Sequence, residues 1–208
     1  MRIESLKTTP DRAGRYWLTM EDGTKLALYR QTLEDFALYP GRELSQEEWE
    51  RLLDASGAMS AKMRAVRIVA ASAVSKKDLQ QRLVQKGEDP QQAAEAVAWM
   101  EEMRLVDDRE TARQIVSRCA SRGYGVARAK QALYEKKIPK QYWEEALANY
   151  PDQTEHILAF FHTRQVDCDD PRQVKKAVDA LLRRGHSYSE IRAALHCLAL
   201  DADEFPED

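Results

Sequence analysis

Residues 121–137, SRGYGVARAKQALYEKK, place a Gly-Tyr-Gly break between two segments with helical patterning. After the break, Ala129 and Leu133 are four residues apart, which puts them on one face of a helix. The surrounding chain carries six positive charges, at Arg122, Arg128, Lys130, Lys136, Lys137 and Lys140. Three interpretations are open at this point: a phosphate-binding glycine loop, a junction between two helices, and a basic binding surface.

The apolar pair after the break belongs to an internal repeat, with offsets of 50 and 48 residues. The equivalent pairs are Leu79 and Leu83, Ala129 and Leu133, and Ala177 and Leu181. After the next turn the equivalent pairs are Ala93 and Val97, Trp143 and Leu147, and Ile191 and Leu195. Because each pair has helical spacing, the repeat predicts helices that bury equivalent faces.

The turn between these two helices has its own pattern. Its residues are Gly87, Lys137 and Gly185, preceded by Lys86, Lys136 and Arg184. Glycine suits a left-handed helix end, and lysine adopts it at a higher cost. A cation before the turn offsets the negative end of the helix dipole, which accounts for each of these cations singly. The functional alternative is that the repeat spaces the cations along one surface.

We predict a mainly α fold of tandem three-helix repeats in a curved array, since one unit of this size buries too little surface alone. The predicted units are residues 61–108, 109–151 and 152–203. Their helices lie near 61–73, 76–86, 90–104, 109–121, 126–136, 140–149, 153–164, 171–184 and 188–199, none much longer than about 15 residues. Predicted helix starts are Ser75, Asp89-Pro90, Asp107, Asp170-Pro171 and Ser187, with Pro139 at a further first position.

Residues 1–58 have a different pattern and form a predicted N-terminal domain. Asp22-Gly23 is a hairpin turn signal between two strands, and MRIESLKT before them is a possible third strand. Thr32 and Ser45 each begin a capping-box pattern, which predicts two short helices separated by Pro40-Gly41. This small sheet needs a helical partner to be stable.

Composition and charge limit the classes of protein. The net charge is -3, yet residues 61–150 alone carry +5, so a basic middle lies between acidic ends. That distribution favours a local acidic partner over general coating of nucleic acid. Three cysteines without CxxC spacing, Cys119, Cys168 and Cys197, indicate packing residues in a reducing compartment. With no long apolar run and no signal-peptide pattern, we expect a cytoplasmic monomer without membrane contact.

We find no pattern typical of a catalytic or metal site. Gly123-Tyr124-Gly125 is not GxGxxG, and no strand precedes it, so a tight helix–helix turn with glycine supplying unusual backbone angles is favoured. The four histidines lack metal-site spacing, and we expect them at the surface or half-buried. Neighbouring carboxylates such as Asp107-Asp108 fit caps and solvated faces. We therefore expect no enzyme activity, no metal and no cofactor.

The remaining candidates form a partner-binding or DNA-binding set. Tyr124 lies beside Arg122, a combination that can stack on a base or pack on a partner. The thirteen predicted residues are Lys76, Lys77, Arg82, Lys86, Arg122, Tyr124, Arg128, Lys130, Lys136, Lys137, Lys140, Arg183 and Arg184.

Residues 61–199 resemble the RecX family, the regulatory proteins of the bacterial recombinase RecA. The most specific part is LVDDRETARQIVSRCASRGYGVARAKQALYEKKI (105–138), supported by SKKDLQQRLVQKG (75–87) and LLRRGHSYSEIRAAL (181–195). Residues 137, 88 and 186 depart from the family pattern, with Lys in place of Gly and with Glu and His in place of apolar residues. The N-terminal hairpin with its helices is similar to an extension of some members.

The resemblance implies a non-enzymatic modulator that lies in the groove of the RecA filament on single-stranded DNA. It implies inhibition of the recombinase, ATPase and coprotease activities, and so an influence on DNA repair and the SOS response. Two alternatives remain open from the residues: a helical-repeat protein that binds free single-stranded or double-stranded DNA, and a scaffold that binds an ordinary protein. The net charge of -3 counts against the first of these.

Overall fold

The computed structural model describes the backbone of residues 1–203 and the side chains of residues 1–196, so the Cys197 side chain lies outside the described residues. By its contacts the chain divides into two compact units, unit 1 from Met1 to Val106 and unit 2 from Asp107 onward. Over the described residues the fold is mostly helical with one small sheet, as predicted. No helix in residues 1–203 is long and apolar enough to cross a membrane.

Unit 1 begins with an antiparallel sheet in the order β1-β2-β3. The strands are β1 (Ile3–Leu6), β2 (Arg15–Met20) and β3 (Lys25–Tyr29). The predicted hairpin is confirmed, because Asp22 and Gly23 make the turn and the Gly23 amide donates to Met20 O at 2.9 Å. The third strand is also confirmed. Leu18 and Leu28 are fully buried and share a hydrophobic core with Leu52.

Two helices follow the sheet, α1 (Arg30–Asp35) and α2 (Gln46–Ala71). The capping box at Ser45 is confirmed, since its Oγ accepts from the Glu48 amide at 3.1 Å and the Glu48 carboxylate accepts from the Ser45 amide at 2.9 Å. The cap predicted at Thr32 is wrong. Helix α1 begins directly after β3, so Thr32 lies buried inside it, and the N-cap residue Tyr29 makes no side-chain capping bond.

Helix α2 runs for 26 residues without interruption, and so it passes through residues 58–61, where the sequence predicts a division between the N-terminal domain and the first three-helix unit. Its first part packs on the sheet through Leu52, and its second part buries Ala61 and Ala65 in the next core. Gly57 lies inside α2, at a position where the Gln92 side chain packs so closely that a Cβ would lie 2.2 Å from its Oε1. The sheet and the first three-helix set therefore share helix α2. The other two helices of that set are α3 (Lys76–Gln85) and α4 (Pro90–Glu102).

Unit 2 contains the second and third helical sets. Its helices are α5 (Asp108–Ser121), α6 (Val126–Glu135), a 3-10 turn (Lys140–Tyr142), α7 (Trp143–Leu147), α8 (Thr154–Thr163), α9 (Pro171–Arg183) and α10 (Tyr188–Asp203). The helix predicted at 140–149 is shorter than expected. Pro139 lies at the N-cap of the 3-10 turn, not at a first helical position.

The repeat pattern is confirmed at the residue level. The second-helix pairs are all buried, with exposures of 0% for Leu79, Leu83, Ala129 and Leu133, 5% for Ala177 and 1% for Leu181. Of the pairs after the turn, Ala93, Val97 and Ile191 are buried, and Trp143, Leu147 and Leu195 are partly buried. The turn residues all have left-handed backbone, with φ of 89° at Gly87, 56° at Lys137 and 89° at Gly185. The predicted caps also form, through Ser75, Asp89, Asp107, Asp170 and Ser187.

Candidate functional site

The Gly-Tyr-Gly break is a junction between α5 and α6, which settles the first two interpretations in favour of the helix junction. Helix α5 ends at Ser121, and Gly123 has the positive φ of 66° that lets the chain turn. Gly125 is the N-cap of α6 with a φ of -78°, a value open to any residue. The prediction that Gly125 supplies an unusual backbone angle is therefore wrong.

Gly125 is required by packing instead. A Cβ on this residue would lie 2.0 Å from the carbonyl oxygen of Gly185, in the turn between α9 and α10. The Gly125 amide donates to Arg184 O at 3.0 Å, and the Ala127 amide donates to Gly185 O at 3.2 Å. The turn between α5 and α6 is thus held by backbone hydrogen bonds against the turn between α9 and α10 in the third helical set.

His186 makes a further bond across the same contact. Its Nε2 lies 3.0 Å from the carbonyl oxygen of Gly123, and since a carbonyl can only accept, Nε2 carries the proton. The side chain is 3% exposed, and burial lowers its pKa. His186 is therefore a buried residue, not the surface or half-buried one predicted, whereas His156, His162 and His196 are exposed as expected.

Tyr124 is fixed from two sides. The Tyr150 hydroxyl donates to the Tyr124 carbonyl at 2.6 Å, and burial raises the pKa of Tyr150 to about 12. The Arg184 guanidinium carbon lies 5.6 Å from the centre of the Tyr124 ring and 5.3 Å from that of Phe160. The cation on the Tyr124 ring is thus Arg184, and Arg122, which was expected to act with Tyr124, lies exposed beside the turn.

The basic charges around this junction include one that the sequence analysis missed. Arg118, Arg122 and Arg128 all act on the Cys119 thiol, where burial outweighs them and raises the pKa of Cys119. Arg118 lies four residues before Arg122, a spacing that places both on one side of a helix end. Arg128 also pairs with Glu135, at 3.1 Å. These cations and Tyr124 follow one another from the end of α5 through α6 to the 3-10 turn, and we call them together the junction surface: Arg118, Arg122, Tyr124, Arg128, Lys130, Lys136, Lys137 and Lys140.

The other predicted cations of unit 2 lie near α9. Arg183 lines a cavity of about 490 Å³ between α8 and α9, together with Phe160, Arg164 and Lys176. The Arg164 guanidinium lies 4.7 Å from the Phe160 ring centre. Neither Arg164 nor Lys176 was predicted, because only the packing of α8 on α9 brings them to Arg183.

Four of the thirteen predicted residues lie in unit 1, on α3 and its C-terminal end. Lys76 pairs with Glu101 at 2.7 Å and Arg82 with Asp78 at 2.9 Å, so both have carboxylate partners. Lys77 and Lys86 are exposed. Among the residues whose side chains are described, no group of three or more His, Cys, Asp or Glu is placed to hold a metal ion.

Comparison with known proteins identifies the family. The family model for RecX, second three-helix domain, matches residues 107–147, which include the junction. The regulatory protein RecX of Chlorobaculum tepidum is 31% identical over 67% of this chain and 89% of its own length. That of Clostridioides difficile is 27% identical over 98% of this chain and 97% of its own length.

Solved structures agree on the fold. A crystal structure of regulatory protein RecX has a TM-score of 0.64 at 20% identity, covering 92% of this chain and 98% of that one. The crystal structure of RecX from Lactobacillus salivarius has a TM-score of 0.60 at 21% identity, covering 70% of this chain and 99% of that one. With a relative above 30% identity matched over nearly its whole length, this chain belongs to the RecX family of regulatory proteins.

Proposed function

We propose that this protein is a non-enzymatic regulator that binds the RecA filament on single-stranded DNA and inhibits its recombinase, ATPase and coprotease activities. Through these it modulates DNA repair and the SOS response, acting as a cytoplasmic monomer. Family membership supports the regulatory role, and the curated relatives carry the name regulatory protein.

The junction surface is the observation that carries the proposal. Arg122 and Tyr124 lie on a turn that is fixed by the backbone bonds to Arg184 and Gly185 and by the Tyr150 hydroxyl, and the other cations lie on the adjoining α5 and α6 and from the end of α6 to the 3-10 turn. A backbone that is already fixed loses less conformational entropy when a partner binds. Arg122, Lys130 and Lys140 are exposed and form no ion pair with the described residues, so they are available to acidic groups of a filament.

ATP hydrolysis by RecA on single-stranded DNA provides the test. We expect the wild-type protein to slow hydrolysis at substoichiometric amounts, because one bound regulator affects neighbouring filament subunits. The variant Arg122→Glu, Lys130→Glu, Lys140→Glu should need about tenfold or more protein for the same effect, since reversing three contact charges costs more than 1.4 kcal/mol. Unchanged hydrolysis over a full wild-type titration would refute the proposal.

A matched control separates the junction surface from overall charge. Lys7→Glu, Lys25→Glu, Arg51→Glu makes the same change in net charge at exposed positions of unit 1. This control should inhibit as the wild type does. Equal loss in both triple variants would mean that net charge, and not the junction surface, determines the effect.

A further inference from the structure

Unit 1 contains a groove whose lining is strongly basic. It lies among β2, β3, α2 and α3 and has a volume of about 490 Å³. Five of its lining residues are cations, and none of its lining residues is acidic: the cations are Arg15, Arg64, Arg67, Arg82 and Lys86. Three of these, Arg15, Arg64 and Arg67, belong to the N-terminal region and to α2, outside the predicted binding set.

The arginines are held in place by contacts within unit 1. Asp11 Oδ2 accepts hydrogen bonds from Nε and Nη2 of Arg15, at 3.0 and 2.8 Å. The Arg67 Nη2 donates to the Tyr29 hydroxyl at 2.8 Å, and its Nε donates to Met63 O at 3.1 Å. Each guanidinium has five N–H donors, so these bonds leave others for a ligand. Fixed side chains lose less entropy on binding than free ones.

Arg64 connects the groove to the turn after α3. It donates to the Glu88 carboxylate, which also accepts from the Ser60 hydroxyl at 3.1 Å and is buried. Arg82 is likewise paired with Asp78. Three carboxylates thus neutralise part of five cationic charges, and Lys86 is exposed with no ion pair to the described residues. The groove keeps a positive balance.

The chemistry of this lining fits phosphate. A guanidinium fork matches the geometry of a phosphate with two parallel hydrogen bonds, and arginine supplies four of the five cations. The aromatic lining residue, Tyr29, is 8% exposed, so it offers no face on which a base can stack. The groove has the volume typical of small-ligand sites and is too small to enclose a duplex. These features favour a flexible phosphodiester strand, in which each phosphate carries one negative charge.

We propose that the unit 1 groove binds the sugar–phosphate backbone of a single nucleic-acid strand, independently of base sequence. The N-terminal sheet then takes a direct part in binding, since β2 and β3 contribute Arg15 and Tyr29 to the groove. This site lies within unit 1 and is distinct from the junction surface.

The test is fluorescence anisotropy with a labelled oligo-dT and purified full-length protein, without RecA. The variant Arg67→Gln, Lys86→Gln should bind about tenfold more weakly at low salt, the effect of losing two phosphate contacts. The slope of log affinity against log salt should fall by about 1.4, because each phosphate contact on a single strand contributes about 0.7. The control Lys25→Gln, Arg51→Gln loses two exposed cations outside the groove and should keep the wild-type affinity and slope.

A second variant, Arg15→Gln with Lys86→Gln, keeps the Arg67–Tyr29 bond and should give the same reduction in slope. It therefore separates the loss of phosphate contacts from any structural effect of losing that bond. Absence of wild-type binding at 50 mM salt, or equal slopes in all proteins, would overturn the proposal. So would preference for a duplex, for inorganic triphosphate or for poly-glutamate over oligo-dT. Because the assay contains no recombinase, its failure is separate from failure of the proposed filament regulation.

Discussion

Gly125 and Gly185 meet backbone to backbone in unit 2, so closely that a Cβ on Gly125 would lie 2.0 Å from Gly185 O. Gly185 is packed as closely against the start of α6, because a Cβ on Gly185 would lie 2.3 Å from the Arg128 amide nitrogen. The two residues belong to the turns of successive helical sets. Their contact sets the position of the junction surface relative to α9 and α10.

The first prediction concerns Gly185→Ala. The new Cβ meets backbone, which yields less than a flexible side chain, and the residue also has a φ of 89°. We expect the free energy of unfolding to fall by about 3 kcal/mol or more, combining overpacking with left-handed strain. Urea unfolding followed by far-ultraviolet circular dichroism measures it.

Gly87→Ala is the matched control for that substitution. Gly87 is the equivalent turn residue of unit 1 and has the same φ of 89°, but a Cβ there meets nothing within 4 Å. It should cost only about 1–2 kcal/mol, the strain alone. Equal losses for the two variants would show that the close contact with Arg128 contributes nothing.

The repeat, the helix caps and the hairpin were predictable because their signals are local. Ser75 and Asp107 cap the helices that begin at the next residue. Gly87 ends a helix because its own backbone adopts a left-handed conformation. The unbroken helix α2 was not predictable in this way. Glycine has a low helix propensity, and the packing of Gln92 against Gly57 is a tertiary contact that sequence spacing does not reveal.

The candidate sites were predictable in charge and only partly in geometry. The cluster of cations in residues 122–140 is visible in the sequence, and so is the turn that carries it. The contact of Arg184 with the Tyr124 ring joins residues far apart in the chain, and so does the groove that Arg15 and Arg82 both line. Such pairs follow from tertiary packing, so composition suggested a basic surface and could not assign its partners.

The second prediction concerns Lys137, the only non-glycine among the three turn residues. Its φ of 56° carries a cost that glycine does not have. Lys137→Gly should raise the free energy of unfolding by about 0.5–1 kcal/mol, after the added entropy of the unfolded glycine is subtracted. In the urea experiment the unfolding midpoint should move to higher concentration.

Lys130→Gly provides the contrast, since Lys130 lies in the interior of α6 and is exposed. There glycine should lower stability by about 1 kcal/mol. If both substitutions lower stability alike, backbone strain at Lys137 is not significant.

The third prediction concerns the stacking of Arg184 on the rings of Tyr124 and Phe160. Arg184→Lys keeps the charge near the C-terminus of α9 but loses the flat guanidinium contact with two rings. We expect a loss of about 1 kcal/mol in unfolding free energy. Arg183→Lys, at the exposed neighbouring position, should change stability by less than about 0.5 kcal/mol. A loss of the same size in both variants would rule out a specific role for the stacking.

The fourth prediction follows from the buried ring of His186. Burial holds the pKa of His186 below its ordinary value of 6.5 in the folded protein, with Arg184 and His156 acting in the same direction and the Gly123 bond and Glu190 against it. Well above pH 6.5 the ring is neutral in both the folded and the unfolded state, and the free energy of unfolding has its full value. As the pH falls below 6.5 the unfolded chain takes up the proton first, so stability declines until the folded pKa is reached.

We therefore expect the free energy of unfolding to be lower at pH 5.5 than at pH 7.5, with a slope of at most about 1.4 kcal/mol per pH unit for one proton. His186→Gln keeps an N–H that can donate to Gly123 O but has no titration in this range, so it should remove most of the difference. His162→Gln, an exposed position on α8, should leave it in place. If the pH dependence survives in His186→Gln, then proton uptake elsewhere produces it, and the bond to Gly123 does not make the junction sensitive to acid.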